Sequence, residues 1–579
     1  MGLALALGLG LPFGGAVSLT AAQLLLLNET QGLAIDFTDM SMVIKDTGTP
    51  ANAYNSQGIT ASGALVGPGG KLTYSAPSAK ITRQADGNYR FQAHNLAAYS
   101  DNLLAGWSTI GGSTTLTADT VKESAANSAH RFVFSASGNS IPSNASIELK
   151  ADGTSLVGLY FGSGNGHVAV DLANGTIGSI ASGFGSYISS ATITALADGW
   201  YRINAPLAII GGIDAYLLQS WTPGGAAVSV YAGNVLNGVK ARKVHIRYAN
   251  SNTDFITTTG TALYALPYEW NSSGTALGVR IEEARTNVVL QNRDLSNAAW
   301  TKTNVTAAKD QTGIDGAANS ASSITATAGN GTCLQAITLG SSARYQSAFI
   351  KRITGSGTVE MTMDNGTTWT AVTVTSSWAP VEIPTQTLAN PTVGFRIVTS
   401  GDAVAVDMVQ NENGAFRTSP IVTAGATVTR AADNTTIAAS LFPYNQPEGA
   451  VYVSFRTDAF VNTARVINLS GGGATARVVD ISLATGNTSS LFNGTSSSAT
   501  KAFSLGATTK AAAAYKTADY AFTANGAAVA TLATVAVNTA TTLQIGQLGS
   551  GANALNGWMQ QVMYLPRRMT NTELVTVTT

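Results

Sequence analysis

Two stretches of the sequence follow the same plan. Asn95-Leu96 is followed by a polar turn and Trp107, and Asn287-Val288 is followed by a polar turn and Trp300. Each stretch opens a long segment in which short alternating strands are separated by turn residues. Several short strands at regular spacing are typical of a sandwich of jelly-roll type. The repeat therefore predicts two related jelly-roll β-sandwich modules, at residues 94–258 and 285–434.

The composition favours an all-β, multi-domain chain. Charged residues make up only 11% of the 579 residues, against roughly 25% in an average soluble domain. Hydrophobic residues still make up 45%, so the low charge does not indicate intrinsic disorder, which pairs low hydrophobicity with high charge. Strands faced with Thr and Ser and joined by turns from the 60 glycines fit better. The formal net charge of zero predicts no attraction to nucleic acid.

The N-terminus begins with an uncharged apolar run from Gly2 to Val17. It lacks the Lys or Arg of a secretory signal, and it is shorter than the ~20 residues of a membrane span. We expect residues 1–30 to form an apolar anchor that is buried when it docks on a partner subunit, without membrane insertion. A cleaved signal is the alternative. Residues 31–93 then predict a small β-rich N-terminal domain.

The two modules are joined and followed by further β-structure. A hairpin linker is predicted at 259–284, around the turn sequence Asn271-Ser-Ser-Gly274. A third β-sandwich is predicted at 435–579. Within it, Asn525-Gly526 is typical of a type I′ hairpin turn. Thr570-Asn-Thr-Glu573 is typical of a capping box that starts a short helix.

Several motifs resemble those of a known family. Glu282-Glu-Ala-Arg-Thr-Asn287, with Leu295-Ser-Asn-Ala-Ala-Trp-Thr-Lys302, resembles a carbohydrate-binding-like jelly-roll module of tailed-bacteriophage and gene-transfer-agent virion proteins of the head-spike or tail-fibre type. The segment from Asp402 to Thr423 resembles the end of that module. The tail from Leu555 to Leu574 resembles the close of a concanavalin-like (laminin-G-like) domain. The first repeat departs from the pattern, since it has fewer of the motif's charged residues. Members of this family assemble and adhere, so the resemblance implies no catalytic residues.

Catalytic and metal chemistry find little support in the sequence. The one cysteine, Cys333, excludes an intrachain disulfide, and the four histidines have no metal-ligand spacing, so neither a metal nor a cofactor is predicted. Asp402 with Asp407, and Glu282 with Glu283, could serve a polysaccharide depolymerase. Each pair diverges on a strand, and charged strand ends and rims explain both. We therefore predict that the chain is not an enzyme.

Aromatic side chains are the candidate ligand-binding residues, because sugar rings stack on aromatic faces. Trp107, Trp200, Trp300 and Trp558 stand in apolar, strand-like surroundings that favour core packing. Three other aromatic residues stand in loop contexts and are the predicted binding candidates: Trp221, Trp270 and Tyr444.

The resemblance and the composition together predict a structural component of a phage virion, a tail fibre or head spike that attaches to the host surface by binding glycans. A homotrimer is expected by analogy, because linked weak sites gain avidity. The protein would be located in the extracellular particle after assembly in the bacterial cytoplasm, and its N-terminal segment would contact other virion proteins. Two alternatives are a purely structural decoration or baseplate protein, and a polysaccharide depolymerase.

Overall fold

A computed structural model of the chain describes residues 29, 31–38, 41–45, 52–54, 72–75, 78–109, 114–134, 141–162, 165–180, 185–209, 212–222, 224–225, 227–249, 251, 255–258, 260–461, 463–472, 476–533, 536–549, 551 and 553–579. The predicted anchor at 1–30 lies outside the described residues, except for Glu29. The described chain is almost entirely β-structure. It divides into two compact units, one formed by Phe91–Tyr264 with Val422–Ala426 and one by the remaining residues.

The unit formed by Phe91–Tyr264 is an antiparallel sandwich whose inner faces share one hydrophobic core. One sheet has the order β17 (Thr192–Ala195), β18 (Trp200–Leu207), β13 (Ser143–Asp152), β23 (Gly238–Tyr248), β10 (Thr120–Glu123), β9 (Thr114–Leu116). The other has the order β16 (Thr176–Gly178), β15 (Gly166–Asp171), β14 (Leu156–Phe161), β19 (Ile213–Leu217), β12 (Arg131–Phe134), β8 (Trp107–Thr109). Short pairs and helical turns complete it: β7 (His94–Asn95) with β24 (Leu263–Tyr264), β11 (Asn127–Ala129) with β22 (Val230–Ala232), β20 (Ser220–Trp221) with β21 (Ala227–Val228), helix α1 (Leu103–Gly106) and a 3-10 turn (Ala197–Gly199).

The second unit contains another sandwich of the same kind. One sheet has the order β28 (Thr301–Thr303), β31 (Gly331–Ala336), β36 (Thr392–Ile397), β33 (Val359–Thr362), β34 (Thr370–Val372). The other has the order β29 (Val305–Gln311), β30 (Ala321–Ala326), β37 (Ala403–Asn413), β32 (Ser342–Thr354), β35 (Ala379–Leu388). We refer to this sandwich as module 2, and to the one formed by Phe91–Tyr264 as module 1.

The two modules share one topology. The order β8-β12-β19-β14-β15 in module 1 corresponds to β28-β31-β36-β33-β34 in module 2, and β9-β10-β23-β13-β18 corresponds to β29-β30-β37-β32-β35. The central strands β23 and β37 even carry a residue with positive φ at the matching bulge, Lys243 (φ 50°) and Met408 (φ 49°). Trp107 and Trp300 are both buried in the cores. The internal repeat seen in the sequence is therefore a structural duplication.

The second unit also holds a larger sandwich. Its longer sheet has the order β3 (Asn52–Tyr54), β2 (Ser41–Lys45), β1 (Gly32–Asp36), β49 (Gly557–Leu565), β40 (Glu448–Thr457), β45 (Thr508–Lys516), β46 (Tyr520–Ala524), β47 (Ala530–Leu532), with β26 (Ala276–Ile281) on β49 and β25 (Tyr268–Trp270) beyond it. Its other sheet has the order β4 (Leu72–Ser75), β39 (Asn434–Ala438), β48 (Thr542–Ile545), β41 (Arg465–Ser470), β42 (Arg477–Ala484), β43 (Thr488–Phe492), β44 (Lys501–Ala502). Smaller elements are β5 (Ile81–Arg83) with β6 (Tyr89–Phe91), β27 (Arg285–Asn287) with β38 (Val428–Arg430), a 3-10 turn (Ala439–Leu441) and helix α2 (Asn571–Thr578).

This larger sandwich recruits strands from distant parts of the sequence. Strand β1 pairs with β49 and strand β4 pairs with β39, so both belong to the C-terminal sandwich. Strand β26 of the predicted linker also pairs with β49. The predicted hairpin linker at 259–284 thus forms, because β25 pairs with β26, but it joins this sheet as well. The structure differs from the prediction of a separate domain at 31–93, because strands β1 and β4 belong to the larger sandwich. Short, isolated strands cannot bury enough apolar surface alone, whereas pairing with a long neighbour satisfies their backbone.

The Glu282-Glu-Ala-Arg-Thr-Asn287 motif lies where module 2 meets the larger sandwich. The Glu282 carboxylate is buried and lies 2.6 Å from Arg280, 2.9 Å from Arg430 and 3.2 Å from Lys80. It also accepts hydrogen bonds from the backbone and hydroxyl of Ser419 in module 2. Burial alone would raise the pKa of Glu282, but the three cations hold it well below its usual range. Glu282, Arg280, Arg430 and Lys80 therefore form a buried ion cluster, which we call the ionic joint.

Candidate functional site

An open cleft of about 830 Å³ lies on the larger sandwich. Its position follows from the chain between β39 and β40, where the 3-10 turn gives way to Phe442-Pro-Tyr-Asn-Gln446. The residues that line it are mainly aromatic, amide, hydroxyl and proline side chains: Gln31, Ala439, Ser440, Phe442, Pro443, Tyr444, Asn445, Ala540, Thr541 and Pro566. We call this site the aromatic cleft.

Three aromatic rings form a packed group at the aromatic cleft. The Phe442 ring is buried and lies edge-on to Tyr564, with 5.1 Å between ring centroids. The half-buried Tyr444 ring lies 6.3 Å from Phe442 and 6.0 Å from Tyr564. Tyr444 is edge-on to Phe442 and tilted by 44° against Tyr564, and packing of this kind fixes the ring orientations. Tyr444 is thus held as a rigid ring with part of its surface open to solvent.

A buried hydrogen-bond network holds the segment that carries these rings. The hydroxyl of Tyr515 donates to the backbone carbonyl of Asn445 at 2.7 Å, and the backbone N–H of Asn445 donates to the Tyr564 hydroxyl oxygen at 2.8 Å. The two tyrosine oxygens lie 2.9 Å apart. Burial raises the pKa of both Tyr515 and Tyr564 above the usual value, so both remain neutral donors.

The polar side chains beside Tyr444 are also positioned. The Tyr444 hydroxyl donates to Gln446 Oε1 at 2.8 Å, and Asn445 Nδ2 donates to the Pro566 carbonyl at 2.7 Å. Ser440 and Thr541 are exposed at the rim. A fixed aromatic face bordered by hydroxyls and amides is suited to a polyhydroxylated ring, which stacks its apolar C–H face and hydrogen-bonds at its edge.

The three predicted binding residues have different positions. Tyr444 lines the aromatic cleft, whereas Trp270 is half-buried in β25 and is not one of the lining residues. Trp221 is only 8% exposed, and its Nε1 donates to the Ser179 carbonyl at 2.9 Å. The exposure expected of Trp221 from its loop context is thus not found, because the short β20–β21 hairpin packs it against a small apolar cluster.

The sequence analysis missed the other contributors to the aromatic cleft. Phe442 is two residues before Tyr444 in the same aromatic-proline segment, and this spacing was the available signal. Gln31, Thr541 and Pro566 come from distant segments that only the sheet pairing brings together. Among the tryptophans expected in cores, Trp107, Trp300 and Trp558 are buried, while Trp200 is half-buried beneath Arg242.

The carboxylate pairs weighed as catalytic candidates are engaged in ion pairs. Asp407 is buried and lies 2.8 Å from Arg293, and Asp402 is buried beside Arg352 at 3.3 Å. Glu282 belongs to the ionic joint. Asp402 directly precedes β37 and Glu282 directly follows β26, so both lie at strand ends, whereas Asp407 lies within β37. All three carboxylates are buried because cations compensate them. Among the described residues, no group of His, Cys, Asp and Glu is arranged to hold a metal ion.

Comparisons with known proteins give remote structural likenesses. No family model and no curated protein matches the chain. A tandem CBM22 domain of Paenibacillus barcinonensis Xyn10C is 10% identical with a TM-score of 0.21, covering 55% of this chain and all (100%) of that one. Domains LG4-5 of the mouse laminin α1 chain are 12% identical with a TM-score of 0.16, covering 43% and 93%. A Limulus polyphemus SAP-like pentraxin is 15% identical with a TM-score of 0.19, covering 24% and 74%.

The described residues contain no helix that is both long enough and apolar enough to cross a membrane.

Proposed function

We propose that this protein binds glycans through the aromatic cleft and acts by adhesion, without catalysis. The observation that carries the proposal is the half-buried Tyr444 ring, fixed by Phe442 and Tyr564 beside exposed hydroxyls. A held ring binds a sugar at low entropic cost, because few rotamers are lost on binding. Asp402, Asp407 and Glu282 form ion pairs with arginine or lysine side chains. This pairing supports adhesion over hydrolysis, because the carboxylates are not free to act as acid or base.

We further propose that the protein is a tail fibre or head spike of a phage particle. The support is the resemblance of Glu282-Glu-Ala-Arg-Thr-Asn287 to virion modules, together with the ionic joint that this motif forms. A joint of buried charges holds neighbouring sandwiches in one arrangement, which suits a protein that transmits force between particle and host. In this proposal the protein forms a homotrimer, so that weak sites act together, and its N-terminal segment docks on other virion proteins.

A glycan array probed with the full-length chain tests adhesion. We expect binding to a defined set of bacterial surface glycans, and a loss of roughly two- to tenfold in affinity for Tyr444→Ala, since ring stacking contributes on the order of 0.5–1.5 kcal/mol. Trp369→Ala, which removes a half-buried ring from module 2, is the matched control and should bind like the parent. An absence of binding by the folded parent chain would favour a purely structural role, and release of reducing ends from a bound polysaccharide would favour a depolymerase.

A further inference from the structure

One end of module 2 has a group of polar side chains inside the sandwich. On β32, Arg344 lies opposite Gln386 of β35, and Gln346 lies opposite Asn411 of β37. Gln346 is also opposite Ile383, which belongs to the hydrophobic core, so this row lies on the inner face. We call Arg344, Gln346, Gln386 and Asn411 the polar end patch.

The polar end patch is short of hydrogen-bond partners. The buried atoms Gln346 Nε2 and Oε1, Asn411 Oδ1, Gln386 Oε1 and Arg344 Nε have no partner among the described residues. Within the described part of the chain, the sulfur of Met363 is the sole acceptor for Asn411 Nδ2, at 3.4 Å. Buried polar atoms are nearly always paired, and leaving one unpaired costs free energy. The five unpaired buried atoms of this patch indicate that a ligand or ordered solvent supplies their hydrogen-bond partners.

Arg344 is a cation without a carboxylate partner in the described part of the chain. It is 5% exposed, and its Nη2 reaches the Gly340 carbonyl at the long distance of 3.4 Å. Burial lowers the pKa of Arg344 from its usual value. By contrast, Arg396 of the same module lies 2.5 Å from Glu360. Burying an unpaired charge costs free energy, and a guanidinium forms its strongest hydrogen bonds with a carboxylate, so Arg344 is suited to pair with an anion.

Module 1 shows that the fold does not require these polar residues. Asn95 Oδ1 accepts from the backbone of Ile246, and Asn287 Oδ1 accepts from the backbone of Asn411, both at 3.1 Å, so Ile246 and Asn411 are equivalent. Ile246 lies opposite Ala145, just as Asn411 lies opposite Gln346. Both module 1 residues belong to its hydrophobic core. Module 2 thus has two amides at the place where module 1 has an apolar pair.

We propose that the polar end patch binds the carboxylate of an acidic sugar residue. The Arg344 guanidinium pairs with the carboxylate, and the amides of Gln346, Gln386 and Asn411 hydrogen-bond to its oxygens and to neighbouring hydroxyls. The row that contains Arg344 reaches solvent, because its third member, Asn413, is exposed. This site is separate from the aromatic cleft and does not rest on the function proposed for it.

Titration calorimetry of the full-length chain tests this site, with glucuronic acid and N-acetylneuraminic acid as probes and glucose as the neutral control. We expect saturable binding of at least one acidic sugar and none of glucose. Arg344→Met should weaken binding by about tenfold or more, since a charge-assisted hydrogen bond is lost. Arg396→Met removes a charge from the same module and should leave the affinity unchanged.

A second variant carries the module 1 residues into module 2. Gln346→Ala with Asn411→Ile should abolish binding while the thermal unfolding temperature stays the same or rises, because unpaired buried amides are removed. This variant also keeps the test decisive if Arg344→Met does not fold. The proposal is overturned if neither acidic sugar binds the folded parent, which would leave ordered water as the partner of the patch, if glucose binds equally well, or if the double variant binds like the parent.

Discussion

Two asparagines, Asn95 and Asn287, make equivalent hydrogen bonds at equivalent positions of the duplicated modules. Asn95 donates to the carbonyls of Val244 and Ile256 and accepts from the amides of Ala97 and Ile246. Asn287 makes the corresponding bonds in module 2, to Val409, Ile421, Val289 and Asn411. Each side chain thereby closes the gap that a bulge leaves in the central strand. Sequence reasoning aligned these two residues, but their role appears only when the bulge is seen.

Replacing Asn287 by alanine should strongly destabilise the unit that contains module 2. Four buried backbone groups would lose their partner, so we expect a loss of about 3 kcal/mol or more. Chemical denaturation followed by tryptophan fluorescence measures this change. Asn174→Ala, at an exposed turn, is the control and should cost well below about 1 kcal/mol. Equal effects of the two substitutions would contradict the assigned role.

Neutralising Glu282 should be more damaging than removing an exposed charge. Glu282→Gln leaves Arg280, Arg430 and Lys80 without their common anion, and breaking a buried ion pair costs about 3–5 kcal/mol. Because the folded pKa is depressed, the carboxylate stabilises the protein above the pKa of the unfolded chain, and this contribution is lost as the pH falls. Urea unfolding at neutral pH, with Glu382→Gln as the exposed control, should show the difference.

Helix α2 illustrates an element that the sequence predicted correctly. The Thr570 hydroxyl accepts from the Glu573 amide at 3.2 Å, and Glu573 accepts from the Thr570 amide at 2.6 Å, which is the predicted capping box. Hydrogen bonding to Arg567 lowers the pKa of Glu573 to about 2, against the effect of burial, so the cap is charged at neutral pH. The cap orients Leu574 and Val577 into the core.

Removing this cap should cost about 1 kcal/mol. Thr570→Ala deletes the hydroxyl acceptor while leaving the helix surface unchanged. Thr572→Ala is the control. Thr572 is the exposed second residue of α2, so this substitution should have little effect on the unfolding free energy. Denaturation curves of the two variants provide the comparison, and equal stability of Thr570→Ala and the parent would mean that the box does not support α2.

Strand β7 gives module 1 a dependence on pH. The His94 ring donates from Nδ1 to the Gln92 carbonyl and accepts from the Tyr248 amide at Nε2, so only the neutral ring fits. Burial lowers the pKa of His94 from 6.5 to about 3, and burial lowers that of His245 to about 4. The unfolded chain therefore takes up protons that the folded chain refuses, and stability falls as the pH drops below about 6.5.

The melting temperature of the parent chain should accordingly decrease between pH 7 and pH 4.5, within the window set by these histidines. His94→Gln keeps one donor and one acceptor but does not titrate, so part of the decrease should disappear. Thermal scans of both proteins at the two pH values measure the difference. A decrease of the same size in both would exclude His94 as its source.

Short-range signals in the sequence predicted elements but not their partners. Asn525-Gly526 has positive φ at both residues and an Ala527 amide bond to the Ala524 carbonyl, as the type I′ turn requires. The hairpin that contains β26 was expected from the turn sequence Asn271-Ser-Ser-Gly274, but nothing local indicated that β26 and β1 would both pair with β49. Pairing over such distances depends on which edge remains free after the longer strands have assembled.

At the scale of the whole molecule, the all-β class and the duplicated modules followed from composition and repeat, because both are distributed properties of the chain. The aromatic cleft could be predicted from the sequence only in part. Tyr444 stands in a local aromatic segment and was identified, while Trp221 was placed in a loop that the structure folds over a cluster. A cleft assembled from several segments has no continuous signature in the sequence.

The most direct measurement of glycan binding is a crystal structure of the full-length chain soaked with the strongest ligand from the array. We predict a sugar ring stacked on the Tyr444 face at about 4 Å, the ordinary van der Waals separation, with Ser440 or Thr541 at its edge. A ligand bound elsewhere, with the aromatic cleft occupied only by water, would contradict it.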